Sequence, residues 1–141
     1  MNRDLIRKLF SFGCVGAVGF AVDAGVLSAL NKGFGVNVYA ARVVSFVVAV
    51  FVTWLLNRTL VFKQAADVPR DKRREYASYF TIQTIGALIN LGVFAALIAS
   101  QPALKAYPII PLAAGSIVGM FFNYAGAHFW VFKTPRKESL K

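Results

Sequence analysis

The sequence holds one cysteine and one histidine, and only six acidic residues among 141. A lone cysteine, Cys14, excludes an internal disulfide framework and a cysteine-based metal site. The single histidine, His128, and carboxylates without metal-ligand spacing give no metal or catalytic constellation, and no glycine-rich phosphate loop joins a strand to a helix. No metal, cofactor or enzyme activity is therefore expected. Charge of one sign is also scarce: 16 Lys and Arg set against 6 Asp and Glu give a net charge of +10. In a soluble protein that excess would suggest nucleic acid. Here 57% of the residues are hydrophobic and the mean hydropathy is +0.59, too apolar for an ordinary soluble domain of this size. Basic residues cluster at the ends of apolar runs, so membrane lipids and lipid phosphates, rather than nucleic acid, are the expected partners.

Four apolar runs follow one another, at about residues 9–30, 36–56, 77–100 and 109–130. At about 1.5 Å of rise per residue each makes a helix long enough to cross a bilayer, and the first reads as a retained span rather than a cleaved signal. Short links at 31–35 and 101–108 make antiparallel neighbours. The expected fold is all-α, an integral membrane four-helix bundle built from two parallel-repeat helical hairpins. As a single membrane domain over 1–141 it comprises repeat 1 at about 7–63, a basic cytoplasmic loop at about 64–74, repeat 2 at about 75–133 and a basic tail at 134–141.

The repeat is visible residue by residue. A shift of 67 lays Gly16, Gly19, Asp23 and Gly25 over Gln83, Gly86, Asn90 and Gly92. A shift of 70 lays Ser45, Ala49, Thr53, Asn57 and Arg58 over Gly115, Gly119, Asn123, Ala127 and His128, and brings the two Val-Phe-Lys endings, 61–63 and 131–133, together. Small residues at four-residue spacing let helices approach where lipid removes the hydrophobic driving force. Thirteen of the sixteen basic residues fall in the N-terminal tail, the central loop and the C-terminal tail, against Lys32 and Lys105 in the opposite loops. By the positive-inside rule, both termini and the central loop are cytoplasmic. Trp54, Tyr76, Tyr79 and Trp130 then read as an interfacial aromatic belt.

Polar residues inside the runs are the candidate site. Asp23 lies about 10 Å below the outer end of the first helix and Arg42 about 9 Å below that of the second, level with one another, which predicts an ion pair. A guanidinium with spare donors there can receive a phosphate or a sugar hydroxyl. Asn90 is level with Asp23 in the second repeat, and Gln83, Thr53 and Asn123 lie lower, giving a broken polar track. Arg58, with Lys8 and His128, is expected to form the cytoplasmic entry for a lipid phosphate, next to Asn57.

Arg7-Lys8-Leu9-Phe10 leading into Val15-Gly16-Ala17-Val18-Gly19 and Asp23, Asn57-Arg58 before Val61-Phe62, and Asn123-Tyr124 before His128-Phe129-Trp130-Val131-Phe132 resemble the GtrA-like family of small four-span membrane proteins. The resemblance covers about residues 5–133, with His128 standing where that family is expected to have an arginine. It implies translocation of a polyprenyl-phosphate-linked sugar to the outer leaflet of a bacterial inner membrane for O-antigen or other cell-envelope polysaccharide. It also implies a companion glycosyltransferase. Two other readings stand beside it: a non-transporting subunit that anchors or stabilises a polyprenyl-phosphate glycosyltransferase, and a small-cation exporter of small-multidrug-resistance type. Arg42 argues against the exporter, because a guanidinium beside Asp23 repels a cationic substrate. Four helices are too few to enclose a polyprenyl chain, so the headgroup groove lies either between repeats or between protomers of a homo-oligomer.

Overall fold

The computed structural model describes residues 2–107 and 109–134, and among them every regular element is helical. The helices are α1 (Arg3–Ser28), α2 (Val38–Leu56), α3 (Lys63–Ala66), α4 (Lys72–Ser100) and α5 (Ile109–Gly126). Continued through their end turns, four are long and apolar enough to cross a membrane: Arg3–Gly33, Val38–Val61, Lys72–Ser100 and Ile109–Val131. The expected all-α, membrane-spanning class is what is found. Its helices run further into the basic segments than the apolar runs do. α1 starts at Arg3, and α4 starts at Lys72, inside the stretch read as loop, because helical hydrogen bonding continues wherever side chains can be solvated. The expected basic tail at 134–141 lies, apart from Thr134, outside the described residues.

The starts of α1, α2 and α4 are capped by short polar side chains, which satisfy amides that have no partner within the helix. The Asn2 Oδ1 accepts from the Asp4 amide at 3.1 Å, the Asn37 Oδ1 from the Tyr39 amide at 2.9 Å and the Asp71 Oδ1 from the Arg73 amide at 2.9 Å. Three of the four spans end in a widened π turn, Ala29–Gly33, Asn57–Val61 and Ala127–Val131. In the last two, Phe62 and Phe132 donate their amides to Asn57 and Ala127, each at 2.8 Å. These turns coincide with the repeated Val-Phe-Lys endings, so the internal repeat extends to an uncommon backbone geometry. After the first span the chain reverses at Gly35, whose φ of 69° is the left-handed region that favours glycine. The Asn31 side chain donates to the Val36 carbonyl at 3.0 Å across that reversal.

The chain divides into two compact units, the first ending at Tyr76 and the second covering Ala77–Lys133. In the first, α1 and α2 form an antiparallel hairpin with Ala41, Ser45 and Ala49 buried on α2. The Thr53 methyl rests where a side chain at Gly19 of α1 would otherwise go. Near the other end Phe12 meets Phe62 edge to face, ring centroids 6.4 Å apart.

In the second unit α4 and α5 approach through glycine. A Cβ on Gly119 would lie 3.0 Å from the Gly86 carbonyl oxygen, and one on Gly115 would strike Asn90. Four-residue spacing in α5 therefore opposes Gly86 and Asn90, four apart on α4. The expected close approach of small residues is present in both hairpins.

Candidate functional site: polar clusters within the spanning helices

The level pair predicted from helix rise is formed. Arg42 donates from Nη1 to the Asp23 Oδ2 at 2.8 Å, with the Asp23 side chain 15% and the Arg42 side chain 58% exposed. The antiparallel turn at Gly35 sets the register, and the Ser45 hydroxyl donates to the Arg42 carbonyl at 3.0 Å just below. Oδ1 of Asp23 is buried without a hydrogen bond. The carboxylate is thus held on one oxygen, and the guanidinium keeps most of its surface open.

In the second unit two amides of the polar track meet. The Asn123 amide donates to the Gln83 Oε1 at 3.2 Å, leaving the Gln83 Nε2 and the Asn123 Oδ1 buried without partners. A spare donor beside a spare acceptor is complementary to a hydroxyl group, which offers both. Asn90 contacts the Ser116 hydroxyl at 3.5 Å, a partner the sequence reading did not include.

Thr53 sits at its expected level, but its hydroxyl donates back to the Val50 carbonyl at 3.0 Å while its methyl packs on α1. Asn57 is buried at 1% exposure. His128 lies in the last turn of its span, parallel to the Tyr124 ring at 5.8 Å and edge-on to Phe129 at 4.6 Å. Lys8 lies on α1 and makes no ion pair among the described residues.

A further polar cluster surrounds a residue that sequence reasoning passed over, Glu75. It sits in the first turn of α4, where the helix dipole favours an anion, and its side chain is 1% exposed. Its Oε1 accepts from the Arg58 Nε at 2.8 Å and from the Trp54 indole at 3.0 Å. On the other side the Arg70 Nε stands 3.6 Å from Oε2. Phe51, Trp54 and Tyr76 pack edge to face or tilted against one another, with centroids 5.4–5.7 Å apart.

Trp54 and Arg58 share one face because they are four residues apart, and the loop from Phe62 to Asp71 returns the chain to them. The available signal was a lone carboxylate directly after Lys72-Arg73-Arg74, level with a Trp and an Arg at helical spacing. Trp54 and Tyr79, read as belt residues, are instead buried at 6% and 1%; Trp130 remains exposed at 69%. Burial of Trp54 follows from its indole being a donor to a buried carboxylate.

A model of the family described as GtrA/DPMS, transmembrane domain, matches residues 11–132, nearly the whole of both hairpins. No curated protein matches the chain.

Proposed function

The chain belongs to the GtrA/DPMS transmembrane-domain family, and from that membership we propose that it flips a polyprenyl-phosphate-linked sugar from the cytoplasmic to the outer leaflet. The setting is a bacterial inner membrane with both termini and the basic central loop cytoplasmic, in line with the distribution of the basic residues. The product feeds glycosylation of O-antigen or another cell-envelope polymer, and a companion glycosyltransferase supplies the lipid-linked sugar. No covalent step falls to this chain.

The observation that carries the reading is Arg42, a guanidinium within an apolar helix that spends one contact on Asp23 and is still 58% exposed. A charge in a bilayer interior is costly and marks a substrate path by default. Guanidinium donors match the unesterified oxygens of a phosphate, and they have no acceptor capacity for a cationic cargo. The Gln83–Asn123 pair, with one donor and one acceptor unspent, suits sugar hydroxyls. In the first unit Arg58, aided by Lys8 and Asn57, receives the phosphate at the cytoplasmic end and Asp23 and Thr53 add polar surface; in the second unit Asn90 and His128 are the further polar groups. The polyprenyl tail stays in lipid, and a homo-oligomer is one way to wall the headgroup path.

The family description, which joins GtrA to DPMS, supports a second reading, a membrane subunit that anchors or stabilises a polyprenyl-phosphate glycosyltransferase. Purified protein in liposomes carrying a labelled polyprenyl-phosphate sugar separates the two. Flipping by this chain alone establishes transport. Absence of flipping, together with increased stability or activity of a co-reconstituted glycosyltransferase, establishes the subunit.

A further inference from the structure

We infer that Tyr39 is the sugar-reading residue of the Arg42 site: its ring stacks on the hexose of the lipid-linked sugar while the Arg42 guanidinium holds the phosphate. The inference rests on the proposed role of Arg42 as a phosphate contact, to which it adds the group that tells a sugar-bearing phosphate from a bare one.

Tyr39 and Arg42 are three residues apart in α2, so they share a helix face with Cβ atoms about 5–6 Å apart. Side chains on a helix lean toward its N-terminus, which carries the Arg42 guanidinium toward the level of Tyr39. In a sugar phosphodiester the sugar ring is joined to phosphorus through a single oxygen. Phosphate and sugar therefore lie side by side, at a separation of the same order as one helical turn.

The ring is also unspent. Tyr39 is 80% exposed, and its side chain makes no hydrogen bond, ion pair or ring contact among the described residues. Other rings of the first unit are engaged with one another, Phe12 with Phe62, and Phe51, Trp54 and Tyr76 mutually. Phe10, Phe20 and Phe34 are similarly exposed, but they carry no polar atom and lipid alone accounts for them. A tyrosine offers an apolar face to the C–H side of a hexose and, at its edge, a hydroxyl that donates or accepts. A sugar presents both kinds of surface.

The internal repeat separates this role from that of an interfacial anchor. A shift of 70 lays Tyr39 and Arg42 over Ile109 and Leu112 of α5, so ring and guanidinium are lost together. An anchor would be wanted equally at the same depth of the second hairpin, whereas a ring that works with a guanidinium has no use without it. The exposed tyrosine of the second hairpin, Tyr107, precedes α5 and has no cation one turn further along it, which makes it the control.

The full chain in phosphatidylcholine nanodiscs is titrated with a short-chain prenyl-phosphoglucose, with the bare prenyl phosphate and with glucosyl diacylglycerol, and binding is read by native mass spectrometry. Tyr39→Leu should weaken binding of prenyl-phosphoglucose roughly five- to tenfold and leave that of the bare phosphate unchanged. Tyr39→Phe and Tyr39→Trp, which keep a ring, should lose much less, and Tyr107→Leu should change neither. Because Tyr39 is exposed and touches no other ring, these variants report on binding and not on folding. Equal losses for the sugar-bearing and bare phosphates, or no loss for either, overturn the role of Tyr39 and leave Arg42 as the phosphate contact. Binding of both phosphates that is unaffected in the double variant Asp23→Asn, Arg42→Gln overturns the Arg42 reading itself. Glucosyl diacylglycerol carries the sugar without the phosphate and should bind weakest; affinity equal to that of prenyl-phosphoglucose overturns the joint reading of sugar and phosphate.

Discussion

Arg58 and Glu75 are seventeen residues apart in the chain and joined at 2.8 Å, by a carboxylate that is 1% exposed and a guanidinium that is 14% exposed. The pair ties the C-terminal end of α2 to the first turn of α4. It therefore spans the central loop, and the other oxygen of Glu75 stands 3.6 Å from the Arg70 Nε.

Removing one member of such a pair leaves a buried charge without its counterion. Arg58→Leu should destabilise the protein by about 3–5 kcal/mol, whereas the double variant Arg58→Leu, Glu75→Leu should recover most of that loss. Thermal unfolding in detergent, followed by size-exclusion profile, measures both. A double variant no more stable than Arg58→Leu would mean that Arg58 acts by packing and not by charge.

How much of this could be read beforehand depends on whether a single physical rule governed the residue. The four spans, their pairing into hairpins and the Asp23–Arg42 contact follow from helix rise and the cost of charge in lipid, and neither rule depends on distant chain segments. Gln83 and Asn123 are legible only as polar residues at similar depth, and their contact is a finding of the structure. Glu75 escaped because a carboxylate directly after Lys72, Arg73 and Arg74 reads as part of a solvated loop; its burial is decided by the return of residues 62–71, which no periodicity records. Trp54 and Tyr79 escaped for the same reason, since an aromatic near a helix end is equally suited to an interface or to a buried donor role. Thr53 lies at the height read for it, and what the sequence did not disclose is that its hydroxyl bonds back to the preceding turn.

The glycines of the second hairpin differ sharply in what surrounds them. A methyl group on Gly119 meets the Gly86 backbone and Asn90, whereas one on Gly92 meets nothing within 4 Å. Gly119→Ala should cost roughly 1–3 kcal/mol as the helices are pushed apart. Gly92→Ala should be neutral or slightly stabilising, because it removes backbone freedom without a clash. Melting temperatures of the two variants in the same detergent compare them directly, and equal effects would show that α5 does not depend on close approach.

Orientation is tested with single cysteines at positions 32, 72 and 105 in a Cys14→Ser background, probed by a membrane-impermeant thiol reagent on intact cells. The charge distribution predicts labelling at 32 and 105 and protection at 72. The opposite pattern would reverse the entry and exit assigned to Arg58 and Arg42.

The Asp23–Arg42 pair is asymmetric, and its variants should be too. Asp23 is 15% exposed with one oxygen buried and unbonded, so Arg42→Gln strands a carboxylate and should destabilise by about 3–5 kcal/mol. Arg42 is 58% exposed on a long stem and can move its charge outward, so Asp23→Asn should cost clearly less. Neutralising both removes the charge penalty and should restore expression. What the double variant then does in liposomes separates architecture from transport. If the guanidinium meets the sugar-lipid phosphate about 9 Å below the outer surface, a well-folded Asp23→Asn, Arg42→Gln protein has no cation at that depth and should flip at least about tenfold more slowly. Lys at position 42 should restore part of the rate in the native Asp23 background, since it keeps the charge but not the forked geometry. Full flipping by the double variant would leave the pair as a register device between α1 and α2 and move the substrate path elsewhere.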